Sequence, residues 1–284
     1  MRKILIPTDF SDNAMNAIHY GVDLFKYEIS EFYFMHAYQD EIYADEHTLT
    51  RESLEHTKKI VIKRSNEQLK ELLINVKKYS PNPKHKYHVI SSNSLLLDEA
   101  DKIVDDENID IVVMGTRGKT NDKNLTFGSH TLQVLKYVQC PVLAIPENYK
   151  YTQPRHILFP TNYMIPFKRR ELKLLCEMAS PYRAVIDMLY ISKTEKLSMR
   201  QEDNRDFVKE TLCKNTINFK VAKSKDILDT IYKYIKENNI DMLVMVNTRH
   251  SFLENIIFQS TIDELSLNLN IPLLALQNMK RDEL

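Results

Sequence analysis

The sequence predicts two tandem α/β domains, each an open parallel sheet of five strands with helices on both faces. Three observations predict this class. Short apolar runs bounded by turn residues alternate with helical patterns along the chain. The second half repeats motifs of the first half. The length of 284 residues is enough for about two domains of ordinary size.

The first half alternates strands and helices in order. We expect strands at residues 3–7, 32–37, 86–90, 109–114 and 142–145. The first helix follows Ser11, which can cap it, and its apolar residues recur at helical spacing: Ala14, Ala17, Ile18, Gly21, Val22 and Phe25. The second helix is long and charged, from about residue 47 to 79, with a solvated face of Lys, Arg and Glu. Its expected buried stripe is Ile60, Leu69, Leu72, Leu73 and Val76.

The repeat is visible in two pairs of segments. RHILFPTN at 155–162 matches RKILIPTD at 2–9 with an offset of 153, and NIDMLVMV at 239–246 matches NIDIVVMG at 108–115 with an offset of 131. The 22-residue difference between the offsets predicts a deletion, which we place in a shortened helix near 195–213. Two copies indicate tandem domains rather than a solenoid, whose repeats span about 20 to 50 residues. We expect domains at 1–147 and 154–284, joined by a linker at about 148–153.

Composition argues against several classes of protein: nucleic-acid-binding, membrane, secreted and metal-binding proteins. The 39 basic and 39 acidic residues balance, so no overall field attracts nucleic acid or an acidic membrane surface. No apolar run reaches the roughly 18 residues of a membrane span, and the N-terminus enters a strand pattern rather than a signal peptide. We therefore expect a cytosolic protein and interpret the terminal RDEL as coincidence. The three cysteines, Cys140, Cys176 and Cys213, form no CxxC pair and are expected as reduced thiols, and the scattered histidines indicate no metal site.

Glycine is scarce and clustered. Only four occur in the chain, and Gly115, Gly118 and Gly128 lie in the single stretch MGTRGKTNDKNLTFGS at 114–129. Glycine tolerates positive φ and lets a ligand approach the backbone closely. A helix predicted at 130–138 opens at Gly128 and Ser129, and the unpaired N–H groups of a helix start stabilise phosphate. The cluster predicts a phosphate site built from backbone amides.

Ligands of open parallel sheets bind beyond the carboxyl ends of the strands, where the strand order reverses, so the residues after strands one and four matter most. Asp9, after strand one, can accept hydrogen bonds from ribose hydroxyls or the adenine amine. Alternatively, it only caps the helix that starts near Ser11. Arg117 or Lys119 could neutralise a terminal phosphate and the Ser129 hydroxyl could donate to it. Alternatively, Lys119 is a solvated charge and Ser129 a simple N-cap.

The spacing of the glycines tests two familiar motifs. A P-loop, GxxxxGK[ST], would end at Gly118-Lys119-Thr120 but needs glycine at position 113, where Val113 stands. The dinucleotide fingerprint GxGxxG also needs glycine at 113 and should follow the first strand of its unit. Both are excluded. The spacing present is GxxG, nine residues, then G[ST].

The glycine spacing lies in the segments MGTRGKTN at 114–121 and FGS at 127–129. The first repeat also contains PTDFS at 7–11, MHA at 35–37 and CPVLAIP at 140–146. Together these motifs resemble a universal stress protein domain over the whole first repeat. The resemblance implies the sheet order 3-2-1-4-5 and ATP as the ligand, with accompanying Mg²⁺ left open. It implies contacts to adenosine from Pro7, Thr8, Asp9 and Ala37, to ribose and phosphates from Met114 and Gly115, and to the triphosphate from Arg117, Gly118, Gly128, Ser129 and the His130 amide. Ala37 replaces a bulkier aliphatic residue common in the family, which implies a slightly looser pocket beneath the base.

The second repeat has lost these residues. In the alignment of the two repeats, the positions of Gly115, Gly118, Gly128 and Asp9 are occupied by Val246, Arg249, Gln259 and Asn162, respectively. Ser260 aligns with Ser129. Valine does not adopt positive φ cheaply, and a glutamine side chain would block the helix start. We expect no ATP there.

Because the second repeat is expected to fold without any glycine, the three clustered glycines should be dispensable for folding. Members of the family that this chain resembles pair through strand five. The resemblance therefore implies that the two repeats pair with each other as an internal pseudo-dimer, through residues 142–145 and 273–276. Whether two chains also form a homodimer is left open.

Three hypotheses follow. The first is a cytosolic ATP-binding stress-response or regulatory protein with an unknown protein partner and little or no turnover, because no nucleophile with its base is evident. The second is an enzyme of the adenine-nucleotide α-hydrolase type. Such an enzyme should carry SGGxDS or an HIGH-like sequence after strand one, where PTDFS stands. The third is an interaction scaffold with a vestigial site, against which the retained glycines argue.

Overall fold

The computed structural model describes residues 1–43, 51–118, 127–164, 167–193, 196–212, 214–247 and 269–278. The chain divides into two compact units, Met1–Cys140 and Pro141–Leu284. Each is built from parallel strands connected through helices, so the predicted α/β class is confirmed.

The first unit has four parallel strands in the order β3-β2-β1-β4. β1, β2 and β4 are buried along most of their length, as expected for a sheet covered on both faces. Its elements are β1 (Arg2–Pro7), α1 (Asp12–Leu24), β2 (Ser30–Ala37), α2 (Gln39–Tyr43), α3 (Arg51–Tyr79), β3 (His85–Ser92), α4 (Leu96–Asp106), β4 (Ile111–Gly115) and α5 (Ser129–Tyr137).

Helix α1 begins as predicted. The Ser11 hydroxyl accepts a hydrogen bond from the Ala14 N–H at 3.2 Å, which satisfies one of the unpaired donors of the first turn. The predicted apolar residues of the helix are buried. This helix therefore starts directly beyond the carboxyl end of β1, with its apolar face against the sheet.

The buried stripe of α3 differs from the prediction. Ile60 is 51% exposed, and the stripe runs instead through Val61, Ser65, Leu69, Leu72 and Val76. The prediction was wrong at Ile60 because Ser65 is a buried polar residue, which breaks the apolar periodicity in that part of the helix. The short helix α2 was not predicted. The expected start of the long helix, near residue 47, lies outside the described residues.

The second unit holds five parallel strands in the order β8-β7-β6-β9-β10, which is the order 3-2-1-4-5 within the repeat. β5 pairs antiparallel with β10, so the two predicted fifth strands are hydrogen-bonded to each other. The elements are β5 (Val142–Ile145), β6 (His156–Thr161), α6 (Arg169–Ala179), a 3-10 turn (Ser180–Tyr182), β7 (Val185–Ser192), α7 (Met199–Thr211), β8 (Thr216–Lys223), α8 (Ile227–Glu237), β9 (Met242–Asn247) and β10 (Leu273–Gln277).

Helix α7 accounts for much of the length difference between the repeats. It has 13 residues, whereas α3 has 29, in agreement with a deletion placed in this helix. The division between the units falls before β5, so β5 and its partner β10 both lie in the second unit. The domain limits 1–147 and 154–284 stay a prediction.

Cys140 and Cys176 are buried free thiols, and Cys213 lies outside the described residues. In the described part of the chain, no helix is long and apolar enough to cross a membrane. Nor do the described side chains include a group of three or more His, Cys, Asp and Glu placed to hold a metal ion.

Candidate functional site

The segments after β1 and β4 leave the sheet side by side, because β4 is the neighbour of β1, with Ile4 opposite Ile111 and Leu5 opposite Val112. This adjacency brings Asp9 against the glycine-rich segment. A Cβ added at Gly118 would lie 2.8 Å from Asp9 Oδ2, closer than real Cβ contacts come. The two sequence motifs that carried the prediction therefore meet in space.

The turn between β1 and α1 is fixed by its own side chains. The Phe10 N–H donates to Thr8 Oγ1 at 3.0 Å, and the Ser11 N–H donates to Asp9 Oδ1 at 3.0 Å. Phe10 has a φ of 62°, which is uncommon for a residue with a side chain. One oxygen of Asp9 thus belongs to the turn and the other faces Gly118.

The start of α5 is held beside the end of β4. The Gly128 N–H donates to the Thr116 carbonyl at 2.8 Å, and the Thr131 hydroxyl donates to the Gly115 carbonyl at 3.0 Å. Gly128 is the N-cap, so the alternative that Ser129 caps the helix is wrong. A glycine at the N-cap has no side chain that could accept from the first-turn N–H groups of α5, so a ligand or water can accept from them.

The glycines are not required for positive φ. All four lie in the described residues, and none has a positive φ, so the backbone argument from the sequence was wrong on this point. Gly115 is closely packed instead, because an added Cβ would lie 3.2 Å from the carbonyl oxygens of Asn13 and Arg117, and these backbone segments would have to shift by a few tenths of an ångström. The expectation that the clustered glycines are dispensable for folding stays a prediction, and Gly115 is the position that tests it.

Gly128 is different, because none of the described residues around it excludes a side chain there. An added Cβ would make only ordinary contacts, at 3.6 Å from Arg117 Cα, 3.7 Å from the Thr116 carbonyl oxygen and 3.9 Å from the Gly118 nitrogen. Its φ of −68° suits any residue. Neither conformation nor packing explains this glycine, and the space it leaves open adjoins a backbone amide.

The remaining predicted residues lie at or near the ends of β1, β2 and β4 and in the first turn of α5. Pro7 and Met114 are buried residues at the ends of β1 and β4, and Ala37 is the partly buried last residue of β2. Arg117 is partly exposed, and Ser129 and His130 are exposed in the first turn of α5. Lys119 lies outside the described residues.

Sequence reasoning missed His36, which is buried beneath the β1–α1 turn. Its ring centroid lies 4.7 Å from that of Phe10, and its Nδ1 lies 2.9 Å from Ser65 Oγ. Ser65 Oγ in turn lies 2.7 Å from Ser91 Oγ, so the histidine is tied to α3 and β3. A histidine at the end of the run FYFM of β2, directly before Ala37, was the available signal.

The second repeat builds the same turn with different chemistry. The Tyr163 N–H donates to Thr161 Oγ1 at 3.0 Å, and the Met164 N–H donates to Asn162 Oδ1 at 2.9 Å. Tyr163 has a φ of 54°, close to the 62° of Phe10 at the corresponding position of the first repeat. An asparagine therefore forms this turn as well as an aspartate does.

Side chains from α7 cover the turn of the second repeat. Gln201 Nε2 donates to the Asn162 carbonyl and Asn204 Nδ2 donates to the Tyr163 carbonyl, each at 2.7 Å. Tyr163 is 2% exposed, and burial raises the pKa of its phenol above the ordinary value. By contrast, Asp9 and Phe10 of the first repeat are partly exposed.

The end of β9 also differs from the end of β4. Val246 replaces Gly115, and beyond it Asn247 Nδ2 donates to Gln277 Oε1 at 2.8 Å, which ties β9 to β10 with buried polar side chains. Arg249, Gln259 and Ser260, the other expected counterparts, lie outside the described residues.

The sheet order defines an open α/β protein, and folds of this class bind ligands beyond the carboxyl ends of their strands, where Asp9 and the glycine-rich segment lie. The sequence profile of the Universal stress protein family matches residues 1–146. The chain belongs to the universal stress protein family.

Individual relatives agree with this assignment. The universal stress protein MJ0577 of Methanocaldococcus jannaschii is 30% identical over 152 residues, which cover 51% of this chain and 94% of that protein. The universal stress protein MJ0531 of the same organism is 27% identical over 144 residues, covering 51% of this chain and 81% of that protein. The crystal structure of a universal stress protein from Archaeoglobus fulgidus has a TM-score of 0.64, 17% identity, and coverage of 97% of this chain and 96% of its own, which shows a shared fold.

Proposed function

We propose that the first repeat binds ATP between the turn after β1 and the start of α5, and that the protein is a regulatory or stress-response protein with little or no turnover. The observation that carries this proposal is Gly128. Its conformation and its packing against the described residues would accept a side chain, yet the residue is glycine and leaves open the space next to the Gly118 amide. A ligand that approaches backbone amides explains that choice.

Phosphate is the group that suits this space. A helix start carries a partial positive charge and unpaired N–H groups, and α5 has no side-chain cap to occupy them. In the proposal, the amides of Gly118, Ser129 and His130 and the Ser129 hydroxyl hold the phosphates, and Arg117 neutralises their charge. Met114 and Gly115 lie near the ribose.

The adenosine end would lie toward β1 and β2. Asp9 accepts from a ribose hydroxyl or the adenine amine with the oxygen that faces Gly118, while Pro7, Thr8 and Ala37 line the base. Any Mg²⁺ would be coordinated by the triphosphate, since this ion is commonly bound through substrate phosphates and one or two carboxylates. Asp9 is the described carboxylate against the glycine-rich segment.

We propose one nucleotide site rather than two. In the second repeat, Gln201 and Asn204 already bond to the carbonyls of the turn that corresponds to Asp9 and Phe10. Val246 also adds a side chain where Gly115 has none. A cytosolic location, a protein partner of unknown identity and pseudo-dimer pairing through β5 and β10 belong to the same proposal.

We expect saturable ATP binding by the wild-type protein in isothermal titration calorimetry, and binding weakened at least about tenfold in Gly118→Ala. The added methyl group would meet Asp9 Oδ2 and displace either the carboxylate or the loop. Phosphate release should stay below about one turnover per second, where ordinary enzymes begin. Gly21→Ala, in the middle of α1, is the control and should bind ATP normally, because its added Cβ would lie 3.2 Å from Ile6 Cδ1, the end of a side chain that can move aside.

The alternatives give different results in this experiment. A wild-type protein that binds no ATP would support the scaffold hypothesis and contradict the proposal. Rapid formation of ADP or AMP would instead support an enzyme of the adenine-nucleotide α-hydrolase type.

A further inference from the structure

One side-chain pair joins α2 to α5. Asp40 Oδ2 in α2 lies 3.3 Å from His130 Nε2 in α5. Helix α2 follows β2 and α5 follows β4, and β1 lies between these two strands in the sheet. A pair that joins the two helices therefore passes over the carboxyl end of β1, where Asp9 begins the turn.

The base of α2 is firmly attached. Tyr38 and Ile42 are buried against Val61 of α3. Glu41 forms an ion pair with Arg64, and its other carboxylate oxygen lies 3.3 Å from Nε2 of the buried His36. The backbone on either side of Asp40 is thus held by a small core and by charged contacts.

Asp40 and His130 themselves are exposed. Their side chains are 57% and 55% accessible, so their contact can break and form without disturbing buried residues. His130 is the second residue of α5, and its backbone amide belongs to the proposed phosphate-binding turn. The contact therefore joins a fixed α2 to the phosphate end of the site.

We propose that Asp40 is a positioning residue which, through His130, forms a strap over the nucleotide site and slows the entry and exit of ATP. This inference rests on the proposed function. An exposed ion pair contributes little to stability, and it is weakened by salt. Such a contact suits a strap that opens and closes in the folded protein.

The test is the rate of ATP exchange, measured by rapid filtration with radiolabelled ATP for association and with an excess of unlabelled ATP for dissociation. Asp40→Asn should raise both rate constants by about two- to fivefold, the range expected for an exposed pair. The equilibrium affinity should change less than either rate. Asp40→Glu should restore slow exchange.

Two controls isolate the mechanism. In a His130→Asn background, Asp40→Asn should have no further effect, because a double-mutant cycle reports whether the two residues act through each other. His88→Asn removes another exposed histidine, which lies on β3 and near Glu31, and should leave both rates unchanged. Thermal unfolding should not distinguish Asp40→Asn from the wild type.

Each remaining outcome contradicts the inference. Wild-type exchange rates in Asp40→Asn, with ATP bound normally, would overturn the strap but leave the nucleotide site intact. A faster dissociation without a faster association would show a direct effect on the ligand rather than a strap. A wild-type protein that binds no ATP would overturn both the strap and the proposed function.

Discussion

Gly128→Val is expected to lower the affinity for ATP by about a hundredfold or more and to change stability by no more than about 1 kcal/mol. The added side chain fits the free protein, since its Cβ makes only ordinary contacts, but it would cover the approach to the Gly118 amide. A hydrogen bond to a charged group contributes about 1.5–3 kcal/mol, so losing two of them accounts for about a hundredfold or more. The stability limit reflects the usual size of N-cap effects. Calorimetric titration and urea unfolding measure the two quantities.

Gly115→Ala is the matched comparison for this prediction. Its Cβ would press on the carbonyl oxygens of Asn13 and Arg117, which belong to the backbone and cannot rotate away. We expect a loss of about 1–3 kcal/mol in the free energy of unfolding, the scale of overpacking in a closed site. Wild-type ATP affinity in Gly128→Val, or equal destabilisation by both substitutions, would contradict the assignment of Gly128 to the ligand and Gly115 to the fold.

Asp9→Asn is expected to weaken ATP binding about tenfold while leaving stability within about 0.5 kcal/mol of the wild type. Asn162 shows within the same chain that asparagine forms this turn, with its Oδ1 accepting from the Met164 N–H at 2.9 Å. The amide oxygen is already used in the turn, so the amide nitrogen, which is a donor, takes the place of the acceptor that faces Gly118, and the charge-assisted hydrogen bond to adenosine is lost. A hydrogen bond to a charged group contributes about 1.5–3 kcal/mol, so its loss accounts for about tenfold or more in affinity.

Adenosine titrations separate the possible roles of Asp9. If the carboxylate contacts adenosine, Asp9→Asn weakens adenosine and ATP by the same factor. If it faces the phosphates instead, removal of its negative charge strengthens ATP and leaves adenosine unchanged. Unchanged affinity for both ligands would mean that Asp9 serves only the turn through its bond to the Ser11 N–H. Asp9→Ala should lose that bond as well and be less stable than Asp9→Asn.

Much of the fold follows from local patterns in the sequence. The apolar runs placed all five strands of the first repeat to within a few residues, and Ser11 marked the start of α1. The stripe of α3 could not be placed fully, because a buried serine at position 65 bonds to His36 and Ser91 from other elements. Helix α2 has only five residues, too few for a periodic pattern.

The candidate site was also predictable in part from local patterns in the sequence. Motif spacing identified the two segments that meet, but it could not distinguish the roles of the glycines within them. Those roles depend on neighbours that are distant in sequence, such as Asn13 beside Gly115 and Asp9 beside Gly118. His36 and Asp40 were missed because their contacts also come from other elements and leave no local pattern.

The amount of nucleotide bound per chain tests the central claim most directly. The protein is purified without added nucleotide and then saturated with ATP, and the bound nucleotide is released and measured by mass spectrometry against protein concentration. We predict ATP as the bound species and one molecule per chain. Two molecules per chain would contradict the asymmetry between the repeats, and none at saturation would contradict the nucleotide site itself.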